Sequence, residues 1–259
     1  MTLTQRLLSM MRLRPTPVPG SVWHLTGTGW SAGLTEEDMQ QIGAVCPPRP
    51  YRKGERIYRA GDPGGTLQIL LDGHVKLSRT GMLGGERVIT VCGPDDFFGE
   101  SFLTEMTTTQ ADATCLSDRA VICPITREQF LEITRRVPAV AILLASILAT
   151  RVHQLQTRLE SLSQPVQVRL AQVMLDLTYR FGREIEAGVY DLQVELRHEE
   201  IASLAHASRV SATQAISAWR AQQLVLGTRG QYRVNVTGLE RLSEELQLDA
   251  LNKTPVPDR

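Results

Sequence analysis

The chain has 259 residues, 42% of them apolar and 22% charged, and its 28 basic residues balance 28 acidic ones. This length is enough for one large domain or two ordinary ones with separate cores. The zero net charge excludes a nucleic-acid binder that acts through overall charge alone. It leaves a sequence-specific DNA reader open, because such a protein needs only a locally basic face.

Residues 1–34 are expected to form an N-terminal extension outside the folded domains. Its apolar stretch is interrupted by Arg6, Arg12 and Arg14, and no cleavage pattern of a signal peptide follows. The rest of the chain contains no unbroken apolar run of about 18 residues, the length of a membrane span. We therefore expect a cytoplasmic protein without membrane contact.

The segment 35–137 is predicted to be a β-rich domain bounded by helices. LTEEDMQQIGAV (34–45) is predicted to be a short helix with Thr35 as N-cap and Asp38 at the third helical position. From about 50 to 125, short apolar runs alternate with turns such as GDPGG and GPDD, a pattern typical of a sandwich or jelly roll. TREQFLEITRRV, from Thr126, returns to helical spacing.

A long helix is predicted over 138–164, between Pro138 and Pro165. Apolar residues recur along it with alternating spacings of four and three, the pattern of a coiled-coil seam. A buried helix of a single domain would show the same stripe, so this alternative stays open. The residues predicted to form a dimer interface are Ala141, Ala145, Leu148, Val152, Leu155, Leu159 and Leu162.

Residues 165–249 are predicted to form a second domain, followed by a flexible tail over 250–259. A helix begins after Pro165, and GVYDLQVELR (188–197) is expected to be extended or a strand pair. Two helices meeting at His206-Ala207-Ser208, followed by a hairpin that turns at 228–230, give the plan of a winged helix-turn-helix. A helical hairpin used for protein contact is the alternative. One core is predicted from Ile201, Leu204, Ala205, Ala212, Ala215, Ile216 and Trp219.

The second helix of this pair, SRVSATQAISAW (208–219), has a polar face with almost no charge. Base edges require hydrogen-bonding groups of defined geometry, and Arg209 and Gln214 match guanine and adenine respectively. Ser208 is expected to cap the helix, whose free amides suit a phosphate. The predicted DNA-binding residues are Arg209, Gln214, Ser208, Ser211, Val210, Thr213, Arg197, His198 and Arg229.

The segments RAGDPGGTLQILLDGHVKL, GPDDFFGE and EEIASLAHASRVSATQAISAWRAQQLV occur in this order. In them the chain resembles the cyclic-AMP receptor protein/FNR family of bacterial transcription regulators, from about residue 50 to 236. The resemblance implies an α+β fold: an N-terminal cyclic-nucleotide-binding-type β-roll (jelly roll), a long central dimerisation helix and a C-terminal winged helix-turn-helix. It places Arg209 at the family's base-reading arginine and Ser208 at its phosphate-binding serine. Val210 and Gln214 replace the usual glutamate and arginine, and His206 replaces a glycine in the turn.

The resemblance also implies an effector site, which departs from the family pattern. Gly99 and Glu100 match a Gly-Glu pair that binds ribose, with Ser101 following. The region that supplies an arginine for the cyclic phosphate contains none from 101 to 118, and Thr109 and Gln110 offer only neutral donors. Gln154, Gln156 and Thr157 are the nearest candidates for an adenine contact. Cyclic AMP, another small effector and no effector at all remain alternatives, and no cofactor is assigned.

Other sensor chemistries and enzymatic classes are disfavoured by the sequence. Cysteines 46, 92, 115 and 123 form no CxxC, so we expect buried thiols rather than a zinc, iron–sulfur or disulfide framework, with a redox-sensing thiol as the alternative. A haem sensor would need axial ligands, for which His24, His74 and His153 are the candidates; each is isolated, as ordinary surface or core histidines are, and no metal site is assigned. The chain contains no nucleophile–base set, P-loop or HExxH, so no enzyme is expected.

The sequence therefore predicts a homodimeric transcription regulator that reads a near-palindromic site in double-stranded DNA. By resemblance, an exposed Arg183–Gly188 loop lies where activating members touch RNA polymerase. A shift at the hinge 163–165 would set the recognition helices about 34 Å apart. The alternative function is a cyclic-nucleotide or metabolite-binding regulatory protein that acts through a protein partner.

Overall fold

The structure, a computed structural model, describes residues 35–81, 84–104, 107–227 and 230–253. The chain divides into two compact units between Val152 and His153. The predicted extension 1–34 lies outside the described residues. The last helix continues to Lys253, into the segment predicted as a tail from 250.

The first unit contains the predicted roll, built from two four-stranded antiparallel sheets. Their strand orders are β1-β8-β3-β6 and β2-β7-β4-β5. Helix α1 (Glu36–Val45) precedes them, and Thr35 and Asp38 form its capping box as predicted. The strands are β1 Arg49–Arg52, β2 Arg56–Tyr58, β3 Thr66–Asp72, β4 Val75–Thr80, β5 Glu86–Cys92, β6 Phe97–Phe98, β7 Asp112–Cys115 and β8 Arg119–Thr126, with a 3₁₀ turn over Glu100–Leu103 after β6.

The central strand β3 is buried on both faces, and the period of two in a strand divides its side chains between two cores. Leu67 and Ile69 pack against α1 and against Phe130 of helix α2 (Arg127–Arg136). Leu70 lies in the core that contains Phe98 and Ile122. Thr126 and Gln129 form the capping box at the start of α2, so the predicted strand-to-helix change at Thr126 is confirmed.

Two of the four cysteines differ from the expectation of buried thiols. Cys46, at the C-cap of α1, forms a disulfide with Cys123 of β8, and their Cα atoms are 5.6 Å apart. The expectation of four thiols is therefore wrong for this pair. A separation of 77 residues gives no local signal, and only the packing of α1 on the outer face of β8 brings the two together. Cys92 and Cys115 are buried thiols, as expected.

The predicted long helix is α3, Ala139–Ser161, and it crosses the boundary between the units. An 18-residue window in it has a mean hydropathy of 1.3, so by length and composition alone this one helix of the described chain could cross a membrane. Counting unbroken apolar runs predicted no membrane span. Arg151 and neighbouring polar residues interrupt the run in α3, but the mean hydropathy of the 18-residue window stays high enough to meet the criterion for a span.

The second unit is a helical domain with a small sheet of order β11-β12-β10-β9. Two expectations change here. Gly182–Glu186 forms strand β9, so the predicted exposed loop at Arg183–Gly188 is a strand followed by a turn. Within 188–197, only Val189–Leu192 is a strand. The elements are α4 Val166–Phe181, β9 Gly182–Glu186, β10 Val189–Leu192, α5 His198–Leu204, α6 Arg209–Ala221, β11 Val225–Leu226, β12 Arg233–Asn235 and α7 Val236–Lys253.

Candidate nucleic-acid interface and effector site

Helices α5 and α6 form the predicted helix-turn-helix. Small side chains let them approach closely: Ala202, Ala205 and Ala212 are buried, and Ile201 and Ile216 are fully buried between them. His206, in the turn, has φ 50°, the left-handed region in which a β-carbon is crowded and His is among the tolerated residues. The turn therefore accommodates the replacement of the family's glycine.

The start of α6 is capped as predicted. The Ser208 hydroxyl accepts a hydrogen bond from the Ser211 amide at 3.0 Å and lies 2.9 Å from the Ser211 hydroxyl. One of the free amides at this helix terminus is thereby satisfied, and the others remain directed along the helix axis, where a phosphate oxygen would be favoured. Ser208 and Ser211 thus shape the terminus.

Arg209, Val210 and Gln214 face solvent on the first turns of α6. Val210 is 65% exposed, an unusual position for a β-branched apolar residue. Within the described part of the chain, the Arg209 guanidinium and the Gln214 amide have no hydrogen-bond partner. These two donors are therefore available to a ligand with a flat polar edge.

Thr213 and His198 are tied to each other instead. The Thr213 hydroxyl donates to the Arg209 carbonyl at 2.9 Å and lies 3.0 Å from His198 Nδ1. Burial, helped by Arg220 and Arg209, lowers the pKa of His198 below its ordinary value. This shift favours the uncharged imidazole, and we expect it to join the two helices rather than to bind phosphate as a cation.

Of the two outer arginines of the predicted interface, the structure describes only Arg197. Arg197 is 2.6 Å from a carboxylate oxygen of Glu199 and 3.5 Å from one of Glu200. Its charge is thus partly balanced at the start of α5. Arg229 lies outside the described residues. The wing itself is confirmed by the antiparallel pairing of Val225 with Val234 and of Leu226 with Arg233.

The predicted dimer stripe on α3 is largely uncovered. Its large side chains are exposed by 56% at Val152, 57% at Leu155, 67% at Leu159 and 40% at Leu162. Ala141 and Ala145 are also exposed, whereas Leu148 is half-buried against the core of the first unit. Ile142, which the heptad pattern omitted, is 71% exposed. A helix inside a single domain would bury such a stripe, so the exposure favours a partner surface.

One residue of the second unit was missed by sequence reasoning. The Arg169 guanidinium of α4 donates to the Leu162 carbonyl and to the His206 carbonyl, each at 3.2 Å. It therefore links the residue that follows α3 to the turn between α5 and α6. No motif marks Arg169, because both partners are backbone atoms of distant segments.

The predicted effector residues fall on several elements. Gly99 follows β6, with φ 85° and the Thr66 carbonyl so close that no β-carbon would fit. Glu100 and Ser101 begin the 3₁₀ turn. Thr109 is buried and bonds to the Arg59 and Asp62 carbonyls, which ties it to the GDPGG turn. Gln110 is exposed. Gln154, Gln156 and Thr157 lie on α3 beyond the unit boundary, with Gln156 exposed and Thr157 half-buried.

Two arginines reach this region from elsewhere in the sequence. Arg79, in β4, donates to the Gln110 carbonyl at 2.6 Å, because the pairing of Ser78 with Asp112 places it beside the start of β7. Arg151, in α3, donates to the Phe97 carbonyl, and its guanidinium carbon lies 4.4 Å from the centre of the Phe97 ring. The absence of arginine between 101 and 118 thus does not leave the region without cations.

Comparison with known proteins agrees with both units. Residues 48–137 match the family model described as a cyclic nucleotide-binding domain, and residues 168–245 match that of a Crp-like helix-turn-helix domain. A cyclic AMP receptor protein from Thermus thermophilus is 32% identical over 187 residues, which cover 72% of this chain and 82% of the relative. A CRP-like cAMP-activated global transcriptional regulator from Mycobacterium tuberculosis is 31% identical over 195 residues, covering 74% and 86%.

Two solved structures share the fold. FixK2 from Bradyrhizobium japonicum aligns with a TM-score of 0.63 at 20% identity, covering 76% of this chain and 97% of its own. A CRP/FNR-family transcriptional regulator from Thermus thermophilus aligns with a TM-score of 0.63 at 22% identity, covering 76% and 98%. With two family models matched in this order and relatives above 30% identity, the chain belongs to the cyclic-AMP receptor protein/FNR family of bacterial transcription regulators.

Proposed function

We propose that the protein is a homodimeric, sequence-specific DNA-binding regulator that is controlled by a small effector in its roll. The observation that carries the proposal is the exposed start of α6, where Arg209 and Gln214 have no partner among the described side chains. A helix that packed against another protein would bury an apolar face here. Helix α6 instead presents the guanidinium of Arg209 and the amide of Gln214, whose fixed geometry suits hydrogen bonds to base edges.

The identity of the exposed residues implies a reading of the half-site. Arg209 donates two hydrogen bonds to guanine O6 and N7, and Gln214 pairs with adenine N6 and N7. Val210 has no polar atom in its side chain and is placed to contact a thymine methyl group. Ser208, with the amides at the start of α6, holds a phosphate and fixes the helix in the groove. Arg197 and Arg229 supply additional positive charge for the backbone of the duplex.

Dimerisation would place two such helices on one face of the DNA. The exposed stripe on α3 pairs with its copy, and two α6 helices about 34 Å apart read successive major grooves of a near-palindromic site. Effector binding in the roll favours one of two arrangements of the hinge 163–165, and Arg169 transmits the position of that hinge to the turn at His206. Only a difference in affinity for the two arrangements is required.

The remaining assignments follow from the same proposal. The protein acts in the cytoplasm, without membrane contact, and has no enzymatic activity. The β9 segment that begins at Gly182 is the surface offered to RNA polymerase. A regulatory protein that acts through a protein partner would leave α6 without a role, and the exposure of Arg209 and Gln214 disfavours that alternative.

Selection from a randomised duplex pool tests the function. The purified chain is incubated with the pool at fixed salt, because phosphate contacts make the affinity salt-dependent. We expect enrichment of a two-fold symmetric motif, and parallel selections with and without cyclic AMP identify whether that nucleotide is the effector. A pool that stays random in both cases would contradict DNA reading by this protein.

Val210 is expected to set the preference at one position of the motif. Replacing Val210 with glutamate supplies an acceptor for the cytosine amino group and removes the contact with the thymine methyl group. Selection with this variant should change the preferred base at that position from thymine to cytosine, with a discrimination of about tenfold or more. Ser217→Glu adds the same charge to the exposed side of α6 beyond its first turns, and its motif should equal that of the parent. An unchanged motif for Val210→Glu would refute the assigned contact.

A further inference from the structure

A cavity of about 300 Å³ opens between the two sheets of the roll, at the edge formed by β1 and β2. The strands contribute polar side chains to its wall, and three prolines belong to its apolar part. Its polar lining includes Arg49, Tyr58, Thr66, Gln68 and Thr109.

The cavity adjoins the residues that the family resemblance assigns to the effector. Thr109 is part of its wall, and the backbone of Gly99, which follows β6, lies close to the Thr66 carbonyl. The rest of the wall comes from β1, β2 and β8, with contributions from the GDPGG turn and from the start of α2. The polar and apolar groups of this wall therefore indicate which class of ligand would bind in the cavity.

Gln68 presents its amide group to the cavity. Its side chain is on the inner face of β3, and the residue is only 9% exposed. Among the described residues, none forms a hydrogen bond with its amide group. The amide atoms reach the open space of the cavity, where water or a polar ligand can form hydrogen bonds with them. A polar ligand in the cavity would satisfy both its donor and its acceptor.

Two donors complete the lining. The Tyr58 hydroxyl has no hydrogen-bond partner in the part of the chain that the structure describes, and its ring packs 5.9 Å from that of Phe98 between the sheets. Arg49 begins β1 opposite Ile122, and no described carboxylate forms an ion pair with its guanidinium. The cavity therefore has a cation at its mouth and neutral hydrogen-bonding groups deeper inside.

This arrangement selects a class of ligand. One guanidinium matches one carboxylate, which it binds through two parallel hydrogen bonds, whereas a phosphate dianion would call for more positive charge. The volume of the cavity is at the lower end of the range found for small-molecule sites. The ring of Tyr58 and the prolines favour a body that is flat and apolar.

We propose that the β1–β2 edge of the roll binds a small carboxylic acid, whose carboxylate pairs with Arg49 and whose body lies against Tyr58 and Gln68. Binding of the acid to this cavity does not depend on DNA binding by the protein. That the acid is the effector rests on the proposed function, and the class of that effector would then be a small carboxylic acid. Thr109, which borders the cavity, is bonded to the GDPGG turn, so an occupant would also touch the segment that leads into β7.

Binding of benzoate to the full-length protein tests the inference, with benzamide as its neutral analogue of the same shape. Isothermal titration is carried out on the parent chain and on Arg49→Gln, Gln68→Leu and Arg52→Gln. Arg52 is an exposed arginine of the same strand that does not line this cavity, so Arg52→Gln is the matched control. Circular dichroism confirms the fold of each variant, and Arg49→Gln is a surface change that leaves the core intact.

We expect one benzoate to bind for each chain, about tenfold more tightly than benzamide, because only the acid forms the charge-assisted pair. Arg49→Gln should remove this preference, Gln68→Leu should weaken both compounds, and Arg52→Gln should match the parent. Equal binding of the two compounds, an unaffected Arg49→Gln variant or no saturable binding would each overturn the site. DNA binding by the same proteins without benzoate is measured separately. Its absence in the parent chain would contradict the proposed function and leave the benzoate result standing.

Discussion

Replacing Leu159 with glutamate is expected to separate the dimer and to lower DNA affinity at least about 100-fold, because a monomer reads one half-site instead of two. Leu159 is 67% exposed on the isolated chain, within the exposed stripe of α3. Each leucine that becomes fully buried in the dimer contributes about 1.5–3 kcal/mol, and the substitution affects both copies. The two new carboxylates would also face each other across the seam.

Sedimentation and fluorescence anisotropy with the selected duplex measure the two effects of Leu159→Glu. His153→Glu is the control, since His153 is exposed on the same helix and lies off the stripe. We expect this control to remain dimeric and to bind DNA as the parent does. If Leu159→Glu stays dimeric at micromolar concentration, the seam lies elsewhere, and the stripe has another partner.

Arg209→Ala is expected to lower the affinity for the selected duplex by about 2–6 kcal/mol, because each bidentate contact with guanine is worth about 1–3 kcal/mol and a dimer makes two. The same change should weaken binding to a random duplex only slightly. Loss of specificity at the guanine position, seen by competition with single-base variants of the site, distinguishes this residue from a phosphate contact. The fold should be unaffected, since Arg209 is exposed.

Arg135→Ala provides the matched loss of one positive charge, from an exposed position on α2 of the roll. We expect its DNA affinity to equal that of the parent at the same salt concentration. An equal drop for Arg135→Ala and Arg209→Ala would mean that both arginines act only through overall charge. That result would remove Arg209 from the assigned base contacts.

Local signals predicted the starts of several helices. Thr35 and Thr126 mark helix starts because each forms a capping box with the residue three positions later, a feature contained in four consecutive residues. The helix pair around His206 is recognisable for the same reason, since alanine spacing and the cap at Ser208 are local. The exposed side of α6 also follows from helical periodicity. Each of these features depends only on residues that are close together in the sequence.

Contacts between distant segments could not be predicted in this way. Arg79 reaches Gln110 through the register of β4 and β7, and Arg151 reaches Phe97 from another element. The disulfide between Cys46 and Cys123 depends on the packing of a helix against a sheet. A linear search for an arginine near Gly99 therefore underestimated the positive charge of the roll. Strand pairing decides which side chains are neighbours, and one sequence does not contain the pairing.

The spacing between the half-sites tests the central claim, a dimer that reads both halves of one site, most directly. The affinity of the chain is measured for the selected duplex and for the same duplex with about five base pairs inserted at its centre, which turns one half-site by roughly half a helical turn. We predict a loss of at least about 100-fold, because two α6 helices joined through α3 can no longer enter both major grooves on one face. Equal affinity for the two duplexes would show that each chain binds its half-site alone and would contradict reading by a dimer.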